Sequence, residues 1–289
     1  MSRRGACLIA GCGDVGGRLA ASLAARGETV YALRRSSAPL PQGVTAVHAD
    51  LTDRASLRGL PGDITRLVFL PAPDARTEAA YRGLYLDGFA HLLEVLDPAR
   101  LERVVYVSSS AVYGEHGGAW VDEDSPCRPL AFNGTVLLAA ERHLATLPVR
   151  GVAMRFSGLY GPRRTQLLAQ VASGRAVAHA GWTNRLHVED AARALEHVLD
   201  LADPQACYVV SDDEPAPMAD VVAWLAARLG VSMPAADSGR AAVGDKRLAN
   251  HRLRASGFRL RFTDYQAGYS ALLDDRRMSG SGAGWSFPL

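Results

Sequence analysis

Ala6-Cys7-Leu8-Ile9-Ala10-Gly11-Cys12-Gly13-Asp14-Val15-Gly16-Gly17 is the stretch that decides how this 289-residue chain is read. Its first five residues form an apolar run, which predicts a buried strand. The glycines that follow fall where that strand must turn into a helix, and Gly17–Arg26 reads as the helix, with Leu19 and Leu23 on one face and Gly27 as its stop. In the spacing Gly11-x-Gly13-x-x-Gly16, the first glycine permits the tight turn. The second lets the backbone approach a pyrophosphate, and the third lets helix and strand pack closely. The turn, with Asp14 and Val15 inside it, is therefore a candidate dinucleotide site, because free N–H groups and the helix dipole both favour phosphate there.

Outward from this turn, short apolar runs alternate with helical periodicity. Thr29–Leu33, Thr45–Val47, Leu67–Leu70, Val104–Val107 and Val152–Phe156 read as buried strands. Glu78–Leu96 and Thr135–Leu147 read as helices between them. Parallel strands need crossovers, so the pattern predicts an α/β protein with a doubly wound parallel sheet. After Phe156, glycines at 158, 161, 174 and 181 break the pattern and mark a smaller α/β lobe. The expected division is 1–157 as the dinucleotide-binding domain, with 184–203 returning to it through a helix from Glu189-Asp190 to about Leu201. Residues 158–183 and 204–272 form the substrate lobe, including a strand Tyr208–Val210 and a helix Met218–Leu229, and 273–289 form a flexible tail.

A chain that is 48% hydrophobic and 21% charged is that of a globular protein, and a formal net charge of +2 supplies no strong field for nucleic acid or an acidic membrane. No apolar stretch is long enough to span a bilayer, and Arg3-Arg4 before Ala6–Ala10 imitates a signal peptide only until Gly11, Gly13 and Asp14 interrupt the run. Cys7, Cys12, Cys127 and Cys207 have no metal-ligand spacing, which predicts free thiols, no metal and a cytoplasmic setting. Lys246 is the only lysine.

Where the second strand ends, an acidic residue would suit the adenosine ribose of NAD, but Arg34-Arg35-Ser36-Ser37 stands there. Two guanidiniums and a hydroxyl suit a 2′-phosphate, so NADP is favoured over NAD.

Taken in order, Gly11–Gly17, Asp50-Leu51-Thr52-Asp53, Tyr85-Leu86-Asp87-Gly88, Val107-Ser108-Ser109-Ser110-Ala111-Val112-Tyr113-Gly114, Arg155 with Tyr160-Gly161-Pro162, and Leu186-His187-Val188-Glu189-Asp190 resemble the extended short-chain dehydrogenase/reductases. That is the NAD-dependent epimerase/dehydratase family, and its atypical members related to nucleoside-diphosphate-sugar epimerases are the most similar. The resemblance covers residues 5–270. It implies a Rossmann fold in which Asp50 and Leu51 border the adenine, Leu70, Pro71 and Ala72 line the cofactor cleft, and Ser108 precedes Ser109, the active-site hydroxyl. Ser157 and Gly158 would lie near the nicotinamide. Asp87 stands where the family usually has Asn. A homodimer through helices near 78–97 and 133–147 is implied too, although burial within the chain accounts equally for their apolar faces.

The chain departs from that family at its acid/base pair. Aligned on Glu141, Asn133 occupies the position of the usual tyrosine and Leu137 that of the lysine four residues on, and an amide and an isobutyl group do not titrate. Tyr113, His116, Glu123 and Tyr160 are candidate substitutes; His187 reads as structural. Arg163, Arg164 and Arg185 are candidates to clamp a phosphate or carboxylate of a small-molecule substrate. Two readings remain open: an NADP-dependent oxidoreductase or epimerase with a non-standard acid/base, and a catalytically silent NADP(H)-binding redox sensor. A serine hydrolase is disfavoured, since no Gly-x-Ser-x-Gly elbow is present.

Overall fold

The computed structural model describes residues 5–114, 116–234 and 244–278. In chain order the elements are β1 (Ala6–Ala10), α1 (Asp14–Ala25), β2 (Val30–Arg34), β3 (Val44–His48), β4 (Ile64–Phe69), α2 (Glu78–Tyr81), α3 (Gly88–Val95) and β5 (Arg103–Ser109). Then come β6 (Trp120–Val121), α4 (Phe132–Ala145), β7 (Gly151–Phe156), β8 (Gly158–Tyr160), α5 (Gln166–Ala172), β9 (Trp182–Thr183), β10 (Arg185–His187) and α6 (Val188–Asp200). The remainder are β11 (Cys207–Val210), β12 (Ala216–Pro217), α7 (Met218–Leu229), β13 (Arg247–Leu248), α8 (His251–Ala255) and α9 (Tyr265–Met278).

Seven strands form the main sheet in the order β11-β7-β5-β4-β1-β2-β3. The pairs β1–β2, β1–β4, β2–β3, β4–β5 and β5–β7 are all parallel. The expected doubly wound sheet is thus present. Its winding reverses between β1 and β4, so the crevice at their C-terminal ends is where an α/β sheet of this kind receives a ligand. Every residue of β1 is buried, as a central strand covered on both faces requires.

The chain divides into two compact units. The first comprises Met1–Gly114, Pro126–Phe156 and Ala191–Tyr208; the second comprises Glu115–Ser125, Ser157–Asp190 and Val209–Leu289. The returning stretch therefore begins at Ala191 within α6, and 116–125, grouped by sequence with the first domain, cluster with the second unit. Tyr208–Val210, assigned from sequence to the smaller lobe, belongs to β11 and adds the strand beyond β7 in the main sheet. The alternation signal could not tell that edge from a lobe strand.

Three further expectations change. Thr45–Val47 is not a buried strand: β3 is the sheet edge, and Thr45 and Ala46 are exposed. The helix expected over Glu78–Leu96 is interrupted by a π-helical segment, Arg82–Asp87. Such a wide turn needs compensation for its carbonyls. The Tyr106 hydroxyl provides one, donating to Tyr85 O at 3.1 Å from beneath, where Tyr106, Phe69 and Phe89 pack with ring centroids 4.9–5.3 Å apart. Finally, 273–278 complete α9, with Leu273 fully buried, rather than joining a flexible tail; 279–289 lie outside the described residues.

The second unit carries its own core, in which Leu168 and Val171 of α5, Val221 and Leu225 of α7 and Leu272 and Leu273 of α9 meet Tyr160. Asp190 is fully buried, and its carboxylate accepts from Arg261 N and Phe262 N at 2.8 Å each. Asp212 differs: it is 2% exposed and neither carboxylate oxygen has a hydrogen-bond partner. Burial pushes its pKa well above the ordinary 3.8, with Arg185 working in the opposite direction. Lys246 is buried, and its ammonium donates to Gly244 O at 3.1 Å.

Two expected outcomes follow from this packing. A Cβ at Gly134 would lie 2.1 Å from Ala111 O, whereas one at Gly17 would meet nothing within 4 Å. Gly134→Ala should cost about 1–3 kcal/mol or more and lower Tm, while Gly17→Ala in α1 should stabilise by up to ~1 kcal/mol and raise Tm; calorimetry reads both signs. Asp212 binds its proton more tightly folded than unfolded. Its contribution is therefore complete below the unfolded pKa and is lost as pH rises through the raised folded one. Asp212→Asn should accordingly flatten the decline of Tm as pH rises above the ordinary carboxylate range, and an unchanged pH profile would contradict a neutral Asp212.

Candidate active site

The β1–α1 turn is built by contacts that leave its outer side open. Gly11 N donates to Leu33 O at 3.0 Å, and Gly11 has φ +97°, a conformation favourable only to glycine. A Cβ there would also lie 2.4 Å from Pro71 Cα, so the β4 loop and the turn share one close contact. At Gly16 a Cβ would come within 2.8 Å of Gly11 O, whereas at Gly13 it would meet nothing within 4 Å. That open flank at Gly13 is space a side chain would fill and a phosphate can enter. The N-cap residue of α1 is Gly13, which has no side chain to cap the helix, and a helix N-terminus of this kind favours an anion. Asp14 receives Arg18 Nε at 3.3 Å, and Val15 is buried behind the turn.

At the end of β2 the two arginines behave differently. Arg34 folds onto Ser36, with Nε donating to Ser36 O at 2.8 Å and Nη2 to its Oγ at 2.8 Å. Its charge is not matched by any carboxylate among the described residues. Arg35 instead grips Asp74, Nη1 to Oδ2 at 2.6 Å and Nη2 to Oδ1 at 2.5 Å. Beside them, Asp50 Oδ1 accepts from Thr52 N at 2.9 Å and Thr52 Oγ1 at 2.7 Å. The backbone bond chiefly, then the hydroxyl, holds its carboxyl below the usual range. Leu51 is buried, and its carbonyl would lie 3.0 Å from a Cβ at Gly88.

On the β4 loop, Leu70 N donates to Ala10 O at 2.8 Å and Pro71 O accepts from the Tyr85 hydroxyl at 3.1 Å. Tyr85 stands inside the π segment, which brings its hydroxyl to the loop. Neither this role nor that of Gly88 could be read from periodicity, which treats the stretch as one regular helix.

At the end of β5, Ser108 is buried and its Oγ has no partner, an orphaned polar atom at the crevice strand. Ser109 Oγ accepts from Ala111 N at 3.2 Å and starts the short turn Ser110–Val112. The close packing of Gly134 on Ala111 O sets the first turn of α4, with Asn133, against that turn. Leu137, which the sequence aligns with the usual lysine, is 4% exposed and belongs to the core.

Tyr113 is held elsewhere. Its hydroxyl accepts from Arg155 Nη1 at 2.8 Å, while Arg155 bonds Glu141 through Nε at 3.1 and 3.2 Å and Nη2 at 2.7 Å. Burial raises the phenol's pKa, and the guanidinium offsets this only in part. A phenol in that state keeps its proton at neutral pH and is a poor base.

The other candidates lie in the second unit. Ser157 N donates to Val210 O at 3.0 Å, and its buried Oγ has no partner. Glu123 Oε1 accepts from Val209 N at 2.7 Å and faces Arg252 at 3.7 Å. Tyr160 is buried, with its ring 5.2 Å from that of His187 and 4.5 Å from that of Tyr269. His187 accepts from Glu189 N at Nδ1 and packs on Phe262, the structural role expected of it. His116 N donates to Asp245 O. Arg163 and Arg164 are exposed, but Arg185 is buried and donates to Thr183 Oγ1 at 2.8 Å, which leaves it a packing role rather than an open clamp.

Removing one partner of the buried Arg155–Glu141 pair strands a charge, so Glu141→Ala should cost about 3–5 kcal/mol. Tyr113→Phe removes one hydrogen bond and should cost about 1–3 kcal/mol. Chemical denaturation of the two variants checks that order, and equal losses would contradict it.

Comparison with known proteins agrees with this fold. The profile of the NAD dependent epimerase/dehydratase family matches residues 7–211. A Streptomyces protein named 3-diazoavenalumate denitrifying reductase is 31% identical over 251 residues, covering 78% of this chain and 82% of that one. Protein YeeZ of Escherichia coli K12 is 29% identical over 275 residues, covering 89% and 96%. Among solved structures, a Methylobacillus flagellatus protein provisionally assigned to the NAD-dependent epimerase/dehydratases is 37% identical, with a TM-score of 0.80 and coverage of 94% and 99%. MoeE5, solved with UDP-glucose and NAD, is 27% identical, with a TM-score of 0.78 and coverage of 96% and 100%. With its parallel sheet, its glycine turn and a profile match across most of its length, this chain belongs to the NAD-dependent epimerase/dehydratase family.

Proposed function

We propose that the chain binds NADP(H) in preference to NAD(H) and acts as an oxidoreductase on a small carbonyl or sugar-nucleotide-type substrate, without the Tyr-x-x-x-Lys pair. The observation that carries the cofactor reading is the open flank at Gly13 combined with the Arg34–Ser36 pair at the end of β2. In this reading the α1 N–H groups at Asp14, Val15 and Gly16 hold the pyrophosphate. Arg34, Arg35 and Ser36 face the 2′-phosphate, and Asp50 and Leu51 border the adenine. Leu70, Pro71 and Ser108 line the remainder. The bound nicotinamide supplies or accepts hydride.

The chain's own groups then define what else is available. Ser109 Oγ accepts from Ala111 N, which leaves its O–H free to donate to a substrate oxygen. The Asn133 amide orients without titrating. Tyr113 is pinned by Arg155 and keeps its proton. Such a site polarises an acceptor but moves protons poorly, which favours reduction of an activated electrophile over an epimerisation that needs a proton moved in both directions. The reductase name of the Streptomyces relative supports that choice, while the UDP-glucose bound to MoeE5 supports the sugar-nucleotide class. A catalytically silent sensor is the second reading, favoured by the burial of Leu137 where the lysine would act.

Titration calorimetry with the four nicotinamide dinucleotides should give NADPH and NADP⁺ the tighter binding, and Arg34→Ala should erase the preference. Equal or tighter binding of NADH would overturn the NADP reading. Hydride transfer, followed at the nicotinamide absorbance with a panel of carbonyl compounds and nucleotide sugars, separates the two classes: turnover supports the enzyme. No turnover, together with unequal affinities for NADPH and NADP⁺, supports the sensor.

A further inference from the structure

We infer that Asp74 is a specificity-determining residue: by holding Arg35 in a bidentate ion pair, it competes with a cofactor 2′-phosphate and blunts the preference for NADP over NAD. The inference rests on the reading that the crevice between β1 and β4 takes a nicotinamide dinucleotide, and it deepens that reading at one subsite.

Of the two guanidiniums at the end of β2, only one is ready for a phosphate. Arg34 is oriented by neutral acceptors on Ser36, so its charge is preserved and Ser36 retains a hydroxyl proton to donate. Arg35 has given both terminal nitrogens to the two oxygens of Asp74, the same fork geometry a phosphate would use. One fork cannot serve both. Asp50 adds a second carboxylate close enough to interact with Arg35, and both carboxylates are held below the usual range: Asp50 chiefly by Thr52, Asp74 chiefly by the Arg35 bonds. Both are therefore ionised at neutral pH, and an incoming dianion meets two negative charges around the second arginine. A ribose 2′-hydroxyl meets no such repulsion and offers a donor to a carboxylate.

The ion pair is exposed, with side-chain exposures of 53% for Arg35 and 73% for Asp74, so water screens it and a phosphate can displace it. Asp74 thus acts as a tuner and not a block. It lies on the loop after β4, away from the end of β2 in sequence, which is why the Arg34-Arg35-Ser36 stretch alone overstates the phosphate site.

The test compares wild type, Asp74→Asn and Asp74→Asn with Arg35→Ala, each checked for an unchanged circular dichroism spectrum, by calorimetric Kd for NADP⁺ and NAD⁺ at one fixed salt concentration. Asp74→Asn should tighten NADP⁺ about 5- to 10-fold and leave NAD⁺ within about twofold, and the added Arg35→Ala should remove the gain. An unchanged ratio of the two Kd values in Asp74→Asn, or a gain that survives loss of Arg35, overturns the role of Asp74 while leaving the cofactor reading intact. Binding of neither nucleotide by the wild type overturns both.

Discussion

The buried pair of Arg155 and Glu141 is the constraint around which the first unit is arranged. Arg155 comes from β7, Glu141 from α4, and the third partner, Tyr113, from the turn after β5. Burying both charges is costly unless the geometry is good and the remaining hydrogens are used. Here Nε and Nη2 meet one carboxylate and Nη1 meets a phenol. Burial opposes the charge on Arg155, but the Glu141 bonds outweigh it and hold the guanidinium protonated. The pair thereby fixes which face of α4 looks inward and where the serine-bearing turn begins.

The same arrangement bears on the departure from the family. A tyrosine, Tyr113, follows the serine-bearing turn, yet it is committed to Arg155. The helix that would carry the usual pair has an amide in its first turn and a buried leucine four residues on. Leu137 belongs to the core.

Much of this is legible in the sequence. β1, the glycine turn and α1 follow from a local apolar run and three glycines, and local rules suffice because each contact there lies within a few residues or on the neighbouring strands. The order of the motifs pointed to the family. The misreadings share one physical origin, contacts between residues distant in sequence. The position of β11 depends on its pairing beyond β7, and the exposure of β3 on having no strand outside it. The π segment depends on Tyr106 from beneath and Leu51 beside Gly88. Arg35 is conspicuous in sequence for its place at the end of β2, but its partner comes from the loop after β4. Pairing of that kind leaves no periodic trace in the residues themselves.

The scarcity of lysine has an effect on the surface at large. Lys246 is buried on Gly244 O, so the exposed cations among the described residues are guanidiniums, which stay protonated across any pH the fold survives. In moderately alkaline buffer the side-chain charge then changes mainly through thiols and phenols, many of them buried with raised pKa values. Amine-directed reagents, whether acylating labels or aldehyde cross-linkers, would find few targets on this molecule, and its electrophoretic mobility should stay nearly flat where lysine-rich proteins lose theirs.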